Sequence, residues 1–315
     1  MKKAFICTKP VHLVSILDIL NQGKPENSVL IIVDSFISAY DFFICCKENI
    51  KTLGFSECVF FKTELSASEY INLNLIDIVY SNWDLECWYY NLSKAKVITF
   101  DDGFFSYLKD FGRGSHFSLF LRYLKGFFKP HERCLLSHGK LTKGGFFFYH
   151  DYHKKIFPFY NKKRYSYTAT FTELLNAYSD VLSKIYEPVN LNLSDYENKN
   201  IVLYLTSSNI TKSEFNIVND IECDILLVKP HPHIKRDDFI FDCFSHKIKS
   251  NAPAEIIFSM LVGVANKVTL VHSNSSIALH YSNDKSKVLF VNVCGDEIKK
   301  KKFLNMENFL KSGKK

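Results

Sequence analysis

The chain has 315 residues, of which 47% are hydrophobic and 23% are charged. This length is typical of about two domains, and the composition excludes both an intrinsically disordered chain and a membrane-embedded one. The formal net charge is +7, from 40 Lys and Arg against 33 Asp and Glu. This charge favours an anionic partner but does not choose among a nucleic acid, a small molecule and a membrane surface.

The first residues and the cysteines favour a cytoplasmic location. The basic start, residues 1–3, resembles the beginning of a secretory signal, but polar residues 8–10 interrupt the apolar stretch and no small-residue cleavage site follows. The longest apolar runs, such as 29–33, are far shorter than the roughly 18 residues of a membrane-spanning helix. Nine cysteines without CxxC or metal-ligand spacing indicate buried thiols in a reducing compartment. We expect no cofactor and no metal.

Short apolar, β-branched segments alternate with longer helical stretches, which is typical of an α/β protein with parallel sheets covered by helices. Two series of strands are predicted. The first comprises Lys3–Cys7, Ser28–Val33, Glu57–Phe61, Asp77–Ser81 and Lys96–Phe100. The second comprises Ile201–Leu205, Asp224–Lys229, Lys267–His272 and Lys287–Asn292.

The two series predict two domains, residues 1–185 and 201–315. A polar, apolar-poor stretch over 186–200 is the predicted linker. The aromatic-rich region 104–160, with basic residues interleaved, is interpreted as a helical cap of the first domain. The lysine run and helically spaced apolar residues from Lys299 predict a terminal helix docked on the second domain. Its alternative role is peripheral contact with anionic lipid at the inner face of the cell membrane.

The first candidate motif is Asp101-Asp102-Gly103, which follows a predicted strand. Ligands of open α/β sheets bind at this edge, so the carboxylates could provide a general base or hold a metal. The alternative is a turn in which the Asp side chains cap backbone N–H groups.

The second motif is Lys229-Pro230-His231-Pro232, at the end of another predicted strand. The two prolines restrict the backbone, and a histidine held between them could donate a proton or a hydrogen bond to a leaving phosphate. A loop histidine in a proline turn is the alternative. His231 and His233 lie too close along the chain for the usual spacing of two metal ligands.

Two further motifs lie at predicted helix starts. Ser275 and Ser276 follow a strand and could bind phosphate together with unpaired N–H groups, or could simply cap the helix. Glu255 follows Pro253-Ala254 in the first turn of a predicted helix. Its negative charge there stabilises the helix through the helix dipole, or its carboxylate could accept hydrogen bonds from ribose hydroxyls.

Taken in their order along the chain, the motifs resemble those of the bacterial sialyltransferases of the lipooligosaccharide, capsule and polysialic acid type. That group has an acidic-acidic-Gly motif, a His-Pro motif and a Ser/Thr-Ser motif, matched here by residues 101–103, 231–232 and 275–276. The opening Thr8-Lys9-Pro10-Val11-His12-Leu13 is similar to the Thr-Pro-x-His/Gln-Leu start of these enzymes, although Lys9 separates Thr8 from Pro10.

The resemblance implies a glycosyltransferase-B fold, with two Rossmann-like domains facing across a cleft. The C-terminal domain would hold the donor CMP-sialic acid, and the N-terminal one a glycan acceptor, such as a capsule or lipooligosaccharide galactose. Asp101 would be the general base and His231 the general acid or stabiliser of the leaving CMP. The supporting and donor-binding residues would be Asp102, Gly103, Pro232, Lys229, Glu255, Ser275 and Ser276.

Other functions stay open. The motifs recognise CMP more than the sugar, so another CMP-activated keto acid (Kdo, legionaminic or pseudaminic acid) could be transferred. Teichoic-acid polymerases also carry His-Pro and Ser-Ser elements, which makes CDP-polyol phosphotransfer a further alternative. Two alternatives are not enzymes. The basic and aromatic residues in 122–165 could form a nucleic-acid binding module, or the chain could be a catalytically inactive binding protein. We expect no nucleic-acid partner.

Overall fold

The computed structural model describes residues 1–23, 27–82, 95–101, 103–108, 142–186, 191–207, 212–231, 246–248, 252–281 and 287–312. The chain divides into two compact units, Met1–Ile185 and Tyr186–Lys315. Each unit contains one parallel β-sheet flanked by helices.

Seven strands of the described part of the first unit form its sheet, in the order β3-β2-β1-β4-β5-β6-β7. All neighbouring strands run parallel, and the order reverses between β1 and β4. The strands are β1 (Lys3–Cys7), β2 (Ser28–Val33), β3 (Glu57–Phe61), β4 (Ile78–Ser81), β5 (Lys96–Phe100), β6 (Thr142–Phe147) and β7 (Lys163–Ser166).

Helix α6 (Phe171–Ala177) of the first unit begins at a local signal that the sequence carries. The Thr170 side chain accepts from the Glu173 N–H and the Glu173 side chain accepts from Thr170, a capping box that starts α6. The helices are α1 (His12–Asn21), α2 (Ala39–Glu48), α3 (Ile50–Leu53), α4 (Glu64–Leu73), α5 (His150–Ile156), α6 (Phe171–Ala177) and α7 (Ser179–Ile185), and Gly103–Tyr107 forms a 3-10 helix.

The second unit repeats the same plan on a smaller scale. Its sheet has the order β10-β9-β8-β11-β12, all parallel, and the order reverses between β8 and β11. The strands are β8 (Asn200–Leu205), β9 (Ile225–Lys229), β10 (His246–Lys247), β11 (Lys267–His272) and β12 (Val288–Asn292). The helices are α8 (Lys212–Asn219), α9 (Ala254–Val264), α10 (Ser276–His280) and α11 (Glu297–Lys311), with a 3-10 helix at Leu193–Tyr196.

The core of the second unit covers both faces of its sheet. Successive side chains of a strand point to opposite faces. Accordingly, Ile201 and Leu203 pack with Phe258 of α9, whereas Val202 and Tyr204 pack with Val218 of α8. Burial on both faces explains why these strands are continuous apolar runs.

The terminal helix α11 packs against this unit, which confirms the docked interpretation. Phe303 and Met306, on its inner face, are 1% and 0% exposed. The Phe303 ring lies 5.5 Å from the imidazole of His272, centroid to centroid. Removing these two apolar side chains from water stabilises the docked helix by roughly 1.5–3 kcal/mol each.

All nine predicted strands are confirmed, to within one residue at their ends. Three further strands, β6, β7 and β10, escaped the sequence analysis. The helical interpretation of 104–160 is wrong for Thr142–Phe147, which is a strand of the first sheet. Gly144 weakens the strand pattern in the sequence, but the neighbouring backbone leaves no room for a side chain there. A Cβ on Gly144 would lie 2.5 Å from the carbonyl oxygen of Lys163 on β7. Residues 109–141 of that region lie outside the described residues.

Within the predicted linker, the described residues belong to the second unit. Leu191 and Tyr196 pack against the apolar cluster that α9 forms with the sheet. Residues 187–190 lie outside the described part.

Candidate functional site

The candidate residues lie at the carboxyl ends of strands in both units. Open parallel sheets bind ligands outside these ends, at the point where the strand order reverses. Asp101 follows β5, which neighbours β4 and so lies one strand away from the reversal between β1 and β4. His231 follows β9 and Ser275 follows β11 by three residues, and these two strands flank β8. Asp101 therefore belongs to the first unit, and the other predicted positions from 229 onward belong to the second.

Asp101 is a buried carboxylate held by protein donors, with 4% of the residue exposed. Its Oδ2 accepts hydrogen bonds from the Tyr107 hydroxyl and from the backbone N–H of Phe148, the latter at 3.2 Å. Its own backbone N–H donates to the Tyr167 hydroxyl at 3.3 Å. Hydrogen bonds donated to a carboxylate stabilise its ionised form, so this pocket suits a charged and oriented side chain.

Three tyrosines surround Asp101, one each from the 3-10 helix, the β6–α5 turn and the residue after β7. Burial, together with the charge of Asp101, raises the pKa values of Tyr107, Tyr149 and Tyr167 well above the ordinary value of a tyrosine. All three hydroxyls consequently stay protonated at neutral pH. The Tyr107 oxygen accepts from the Tyr149 N–H at 2.9 Å, while its hydrogen is directed at Asp101.

Gly103 starts the 3-10 helix with a positive φ of 74°. Residues with a Cβ rarely adopt this left-handed conformation, so glycine lets the chain turn directly after the strand. The turn returns Tyr107 to the carboxylate of Asp101. Asp102 lies outside the described residues.

The opening motif lies at the reversal point of the first sheet. The Thr8 hydroxyl donates to Asn82 Oδ1 at 3.2 Å, and the Thr8 N–H donates to His12 Nδ1 at 3.4 Å. The His12 ring packs edge-on against Phe100, with centroids 5.3 Å apart. Thr8, His12 and Asn82 are all buried. Asn82, at the end of β4, is a polar member of this group that the sequence analysis missed.

His231 is attached to the neighbouring strand through its backbone. Its N–H donates to Thr206 Oγ1 at 2.9 Å, and the Thr206 N–H donates to the Lys229 carbonyl at 3.2 Å. These two bonds join the loops after β8 and β9. His231 is half-buried, and Pro232 lies outside the described residues.

Lys229 and Glu255 form a pair of opposite charges beside this loop. Burial lowers the pKa of Lys229 to about 8, and the nearby charge of Glu255 opposes that shift. Glu255 is 8% exposed and lies in the first turn of α9, as predicted. The structure thus brings together two residues that the sequence places 26 positions apart.

Ser275 caps α10, and Ser276 is the first residue of that helix. The Ser275 hydroxyl accepts from the Ile277 N–H at 3.3 Å, and the Ser275 N–H donates to His272 Nδ1 at 3.1 Å. His272 is 1% exposed, and burial lowers its pKa to about 3. A neutral imidazole that accepts at Nδ1 carries its hydrogen on Nε2. Ser275 therefore acts as a helix cap in this structure, and phosphate binding by Ser275 and Ser276 stays a prediction.

The loop that carries these serines is tied to the next loop of the sheet. Asn274, at a positive φ of 56°, accepts from Asn292 Nδ2 at 2.7 Å. Asn292 Oδ1 in turn accepts from the Cys294 N–H at 3.0 Å. The residues after β11 and β12 are thus held together by side-chain amides.

Three residues whose hydroxyl oxygens form hydrogen bonds with candidate residues were not found from the sequence: Tyr107, Tyr167 and Thr206. Tyr204 and Ser207 each donate a hydroxyl hydrogen bond to Glu214 Oε2 at 3.2 Å, which anchors the start of the loop after β8. Thr206-Ser207 is a hydroxyl pair after an apolar strand, the same signal that singled out Ser275-Ser276. The tyrosines carry no comparable local signal.

Over the described ranges, no three His, Cys, Asp or Glu side chains are grouped so that they could hold a metal ion. The described helices also include none that is both long and apolar enough to cross a membrane.

No protein-family model matches the chain, and no curated protein matches it by sequence. Solved structures do match. The E. coli heptosyltransferase WaaC with ADP aligns over 99% of this chain and 98% of its own, at 9% identity and a TM-score of 0.38. A Listeria monocytogenes protein described as a UDP-N-acetylglucosamine 2-epimerase aligns over 99% of this chain and 89% of its own, at 12% identity and a TM-score of 0.53.

The chain has the glycosyltransferase-B fold. Both of its sheets show the Rossmann-like order, in which the first strand lies at the centre and the order reverses beside it. The fold class expected from the sequence is therefore confirmed. At this level of identity the likeness concerns the fold, and the activity has to be argued from the site.

Proposed function

We propose that this protein is a glycosyltransferase that moves sialic acid from CMP-sialic acid to a hydroxyl of a glycan acceptor, with inversion and without a metal. The observation that carries the proposal is the buried Asp101 carboxylate, held by Tyr107 and Phe148 at the carboxyl end of β5. It lies within the acidic-acidic-Gly motif by which the sequence resembles bacterial sialyltransferases. The fold is compatible with sugar transfer, and the activity is argued from the site.

The proposed reaction is a single displacement at the anomeric carbon. The acceptor oxygen forms a bond to that carbon while Asp101 takes the hydroxyl proton. The bond from the anomeric carbon to the phosphate oxygen breaks, and its electron pair leaves with CMP. Attack from the face opposite the leaving group inverts the configuration. Hydrogen bonds from Tyr107 and Phe148 hold the Asp101 carboxylate in one orientation, which suits it to receive the proton.

The residues proposed for the donor belong to the second unit. Departing CMP gains negative charge on its phosphate, which cationic groups and hydrogen-bond donors stabilise. We assign this work to His231, Lys229, Ser275 and Ser276, and ribose binding to Glu255. The Thr206 bond to the His231 backbone at 2.9 Å supports the assignment, because a stabilising group has to be held in place before reaction.

The electrostatics favour this donor class. CMP-sialic acid carries one phosphate and one carboxylate, and a chain of net charge +7 attracts such an anion. The leaving group has a single phosphate, which gains one further negative charge as CMP departs. Lys229, His231 and the serine hydroxyls are the groups proposed to stabilise that charge, so the proposal needs no divalent ion.

The direct test is CMP release from CMP-Neu5Ac by the purified protein in EDTA, with a galactose-terminated acceptor. Asp101→Asn and His231→Ala are the site variants. Asp34→Asn and His246→Ala are their matched controls, since Asp34 follows β2 of the same sheet as Asp101 and His246 lies on β10, next to β9. We expect release by the wild type and both controls. Asp101→Asn should abolish it, and His231→Ala should reduce it by roughly 10²–10⁴-fold.

Other outcomes identify the alternatives. Binding of CMP without release from CMP-Neu5Ac, but with release from CMP-Kdo or a CMP-linked legionaminic or pseudaminic acid, would change only the sugar. Turnover of CDP-glycerol with inert CMP-Neu5Ac would make the protein a polyol phosphotransferase. If calorimetry detects no CMP binding at all, the assignment to this class of transferase is wrong.

A further inference from the structure

Among the described residues, Tyr107 donates a side-chain hydrogen bond to the Asp101 carboxylate. Its hydroxyl donates to Oδ2 of Asp101, and the hydroxyl oxygen accepts from the Tyr149 N–H at 2.9 Å. Because the N–H occupies the acceptor side of the oxygen, the hydroxyl hydrogen has a fixed direction towards the carboxylate. Tyr107 and Asp101 are almost fully buried, with 3% and 4% of each residue exposed. A hydrogen bond to a charged group is strongest in such surroundings.

The position of Tyr107 is fixed by its packing as well as by these bonds. Its ring lies 5.6 Å from that of Tyr149, 6.0 Å from Tyr152 and 6.4 Å from Phe147, centroid to centroid. These neighbours come from β6, the following turn and α5, so three elements hold one ring. The backbone of the 3-10 helix adds a further restraint through the positive φ of Gly103.

We propose that Tyr107 is a positioning residue that keeps the Asp101 carboxylate ionised and correctly oriented to take a proton from the acceptor. The identity of the reaction rests on the proposed function, but the effect of Tyr107 on Asp101 does not. Tyr107 itself touches no reacting atom in this scheme. It acts through the carboxylate, together with the Phe148 N–H on the same oxygen.

Several titratable groups face this site from the surrounding elements, and each has to be considered in a pH experiment. The tyrosines stay protonated through the range in which a carboxylate titrates, because burial raises their pKa. The facing groups are Tyr107, Tyr149, Tyr152 and His153 from the 3-10 helix, the β6–α5 turn and α5, Tyr167 after β7, and His12 and Asp18 of α1.

The first measurement follows the Asp101 carboxyl itself and needs no substrate. Carboxyl carbons of ¹³C-labelled aspartate are titrated by NMR in the full-length protein, and Asp101→Asn assigns the signal. Tyr107→Phe keeps the ring and removes the donor, so the titration midpoint of Asp101 should rise by about one pH unit or more. Tyr152→Phe is the matched control, because it removes a hydroxyl from the same ring cluster, and its midpoint should equal that of the wild type.

A second substitution guards against a loss of packing in Tyr107→Phe. Site-specific 3-fluorotyrosine at position 107 keeps the ring and the hydrogen bond but makes the hydroxyl a stronger donor. The Asp101 midpoint should then fall below that of the wild type. Shifts of opposite sign from two nearly isosteric replacements are not expected of a residue that acts only through packing.

The catalytic readout is the pH profile of CMP release from CMP-Neu5Ac. Tyr107→Phe should lower kcat about tenfold, leave the acceptor KM near the wild-type value, and move the acidic limb to higher pH. Equal Asp101 midpoints in the wild type, Tyr107→Phe and the fluorotyrosine protein would overturn the inference. If the two Tyr107 replacements show the predicted midpoint shifts but the wild type releases no CMP from CMP-Neu5Ac, the sialyltransferase assignment is refuted and the role of Tyr107 remains.

Discussion

Thr206 Oγ1 accepts a hydrogen bond from the backbone N–H of His231 at 2.9 Å. Thr206 is 4% exposed, and it lies directly after β8, whereas His231 follows β9 by two residues. The bond therefore links the His-Pro loop to the neighbouring strand end beside the reversal point of the second sheet. It gives a physical reason why a histidine in a loop can have a defined position.

Replacing Thr206 by valine should displace His231 without changing its side chain. Valine has nearly the same shape but lacks the acceptor, so a sheltered N–H loses its partner, a loss of about 1–3 kcal/mol. We expect kcat/KM for CMP-Neu5Ac to fall roughly tenfold and the His231 amide to exchange faster with deuterium. Thr206→Ser keeps the acceptor and should resemble the wild type. Unchanged exchange in Thr206→Val would contradict this role.

Glu255 should keep Lys229 charged at neutral pH. The pKa of Lys229 is lowered to about 8 by burial, and the charge of Glu255 limits the decrease. In Glu255→Gln the pKa should fall further, so Lys229 becomes neutral at a lower pH. CMP affinity, measured by calorimetry from pH 6 to 9, should decline as pH rises, with the decline beginning at lower pH in the variant. Matching profiles for the two proteins would refute the coupling.

Gly145→Ala should destabilise the first unit. A Cβ at this position would lie 2.7 Å from the Thr99 hydroxyl of β5 and 2.7 Å from the Phe147 ring. Neither neighbour is free to move inside a packed sheet, so we expect a loss of about 1–3 kcal/mol in the free energy of unfolding. Urea denaturation followed by tryptophan fluorescence gives the value. Gly263→Ala is the control, because a Cβ there meets nothing within 4 Å.

His272 should make the second unit sensitive to acid. Its pKa is lowered from 6.5 to about 3 by burial, so below about pH 6.5 the unfolded chain binds a proton that the folded chain excludes. Stability therefore falls as pH falls from 6.5 towards 3. His272→Asn has no such titration and keeps a side-chain oxygen able to accept from the Ser275 N–H.

Amide exchange of β11 measures this effect in the second unit. Between pH 7.5 and 5.5 the wild type should lose about 1.4 kcal/mol more of its opening free energy than His272→Asn, after correction for intrinsic exchange. Parallel pH dependence in both proteins would show that His272 does not titrate on unfolding.

The nine strands found in advance are those whose apolar runs are bounded by turn residues, such as Val29–Val33 before Asp34. Their identity depends on a local property, the burial of consecutive β-branched side chains, and that property can be seen along the chain. Strand β6 escaped because Gly144 and Gly145 weaken the strand pattern. Glycine is required at these two positions because β5 and β7 lie so close that a Cβ would clash with them. The local sequence contains no sign of this proximity.

The candidate site divides in the same way. Asp101, His231, Glu255 and Ser275 are predicted site residues from short motifs, because strand ends and helix starts can be identified locally and because the order of the motifs resembles a known family. The partners that hold those groups were not recognised. Tyr107 reaches Asp101 only after the turn at Gly103, and Tyr167 reaches it only because β7 joins the same sheet edge. Residue type and spacing therefore indicate which side chains are candidates for the chemistry, whereas long-range packing decides which donors surround them. A hydrogen bond between residues 66 positions apart depends on the whole sheet having formed.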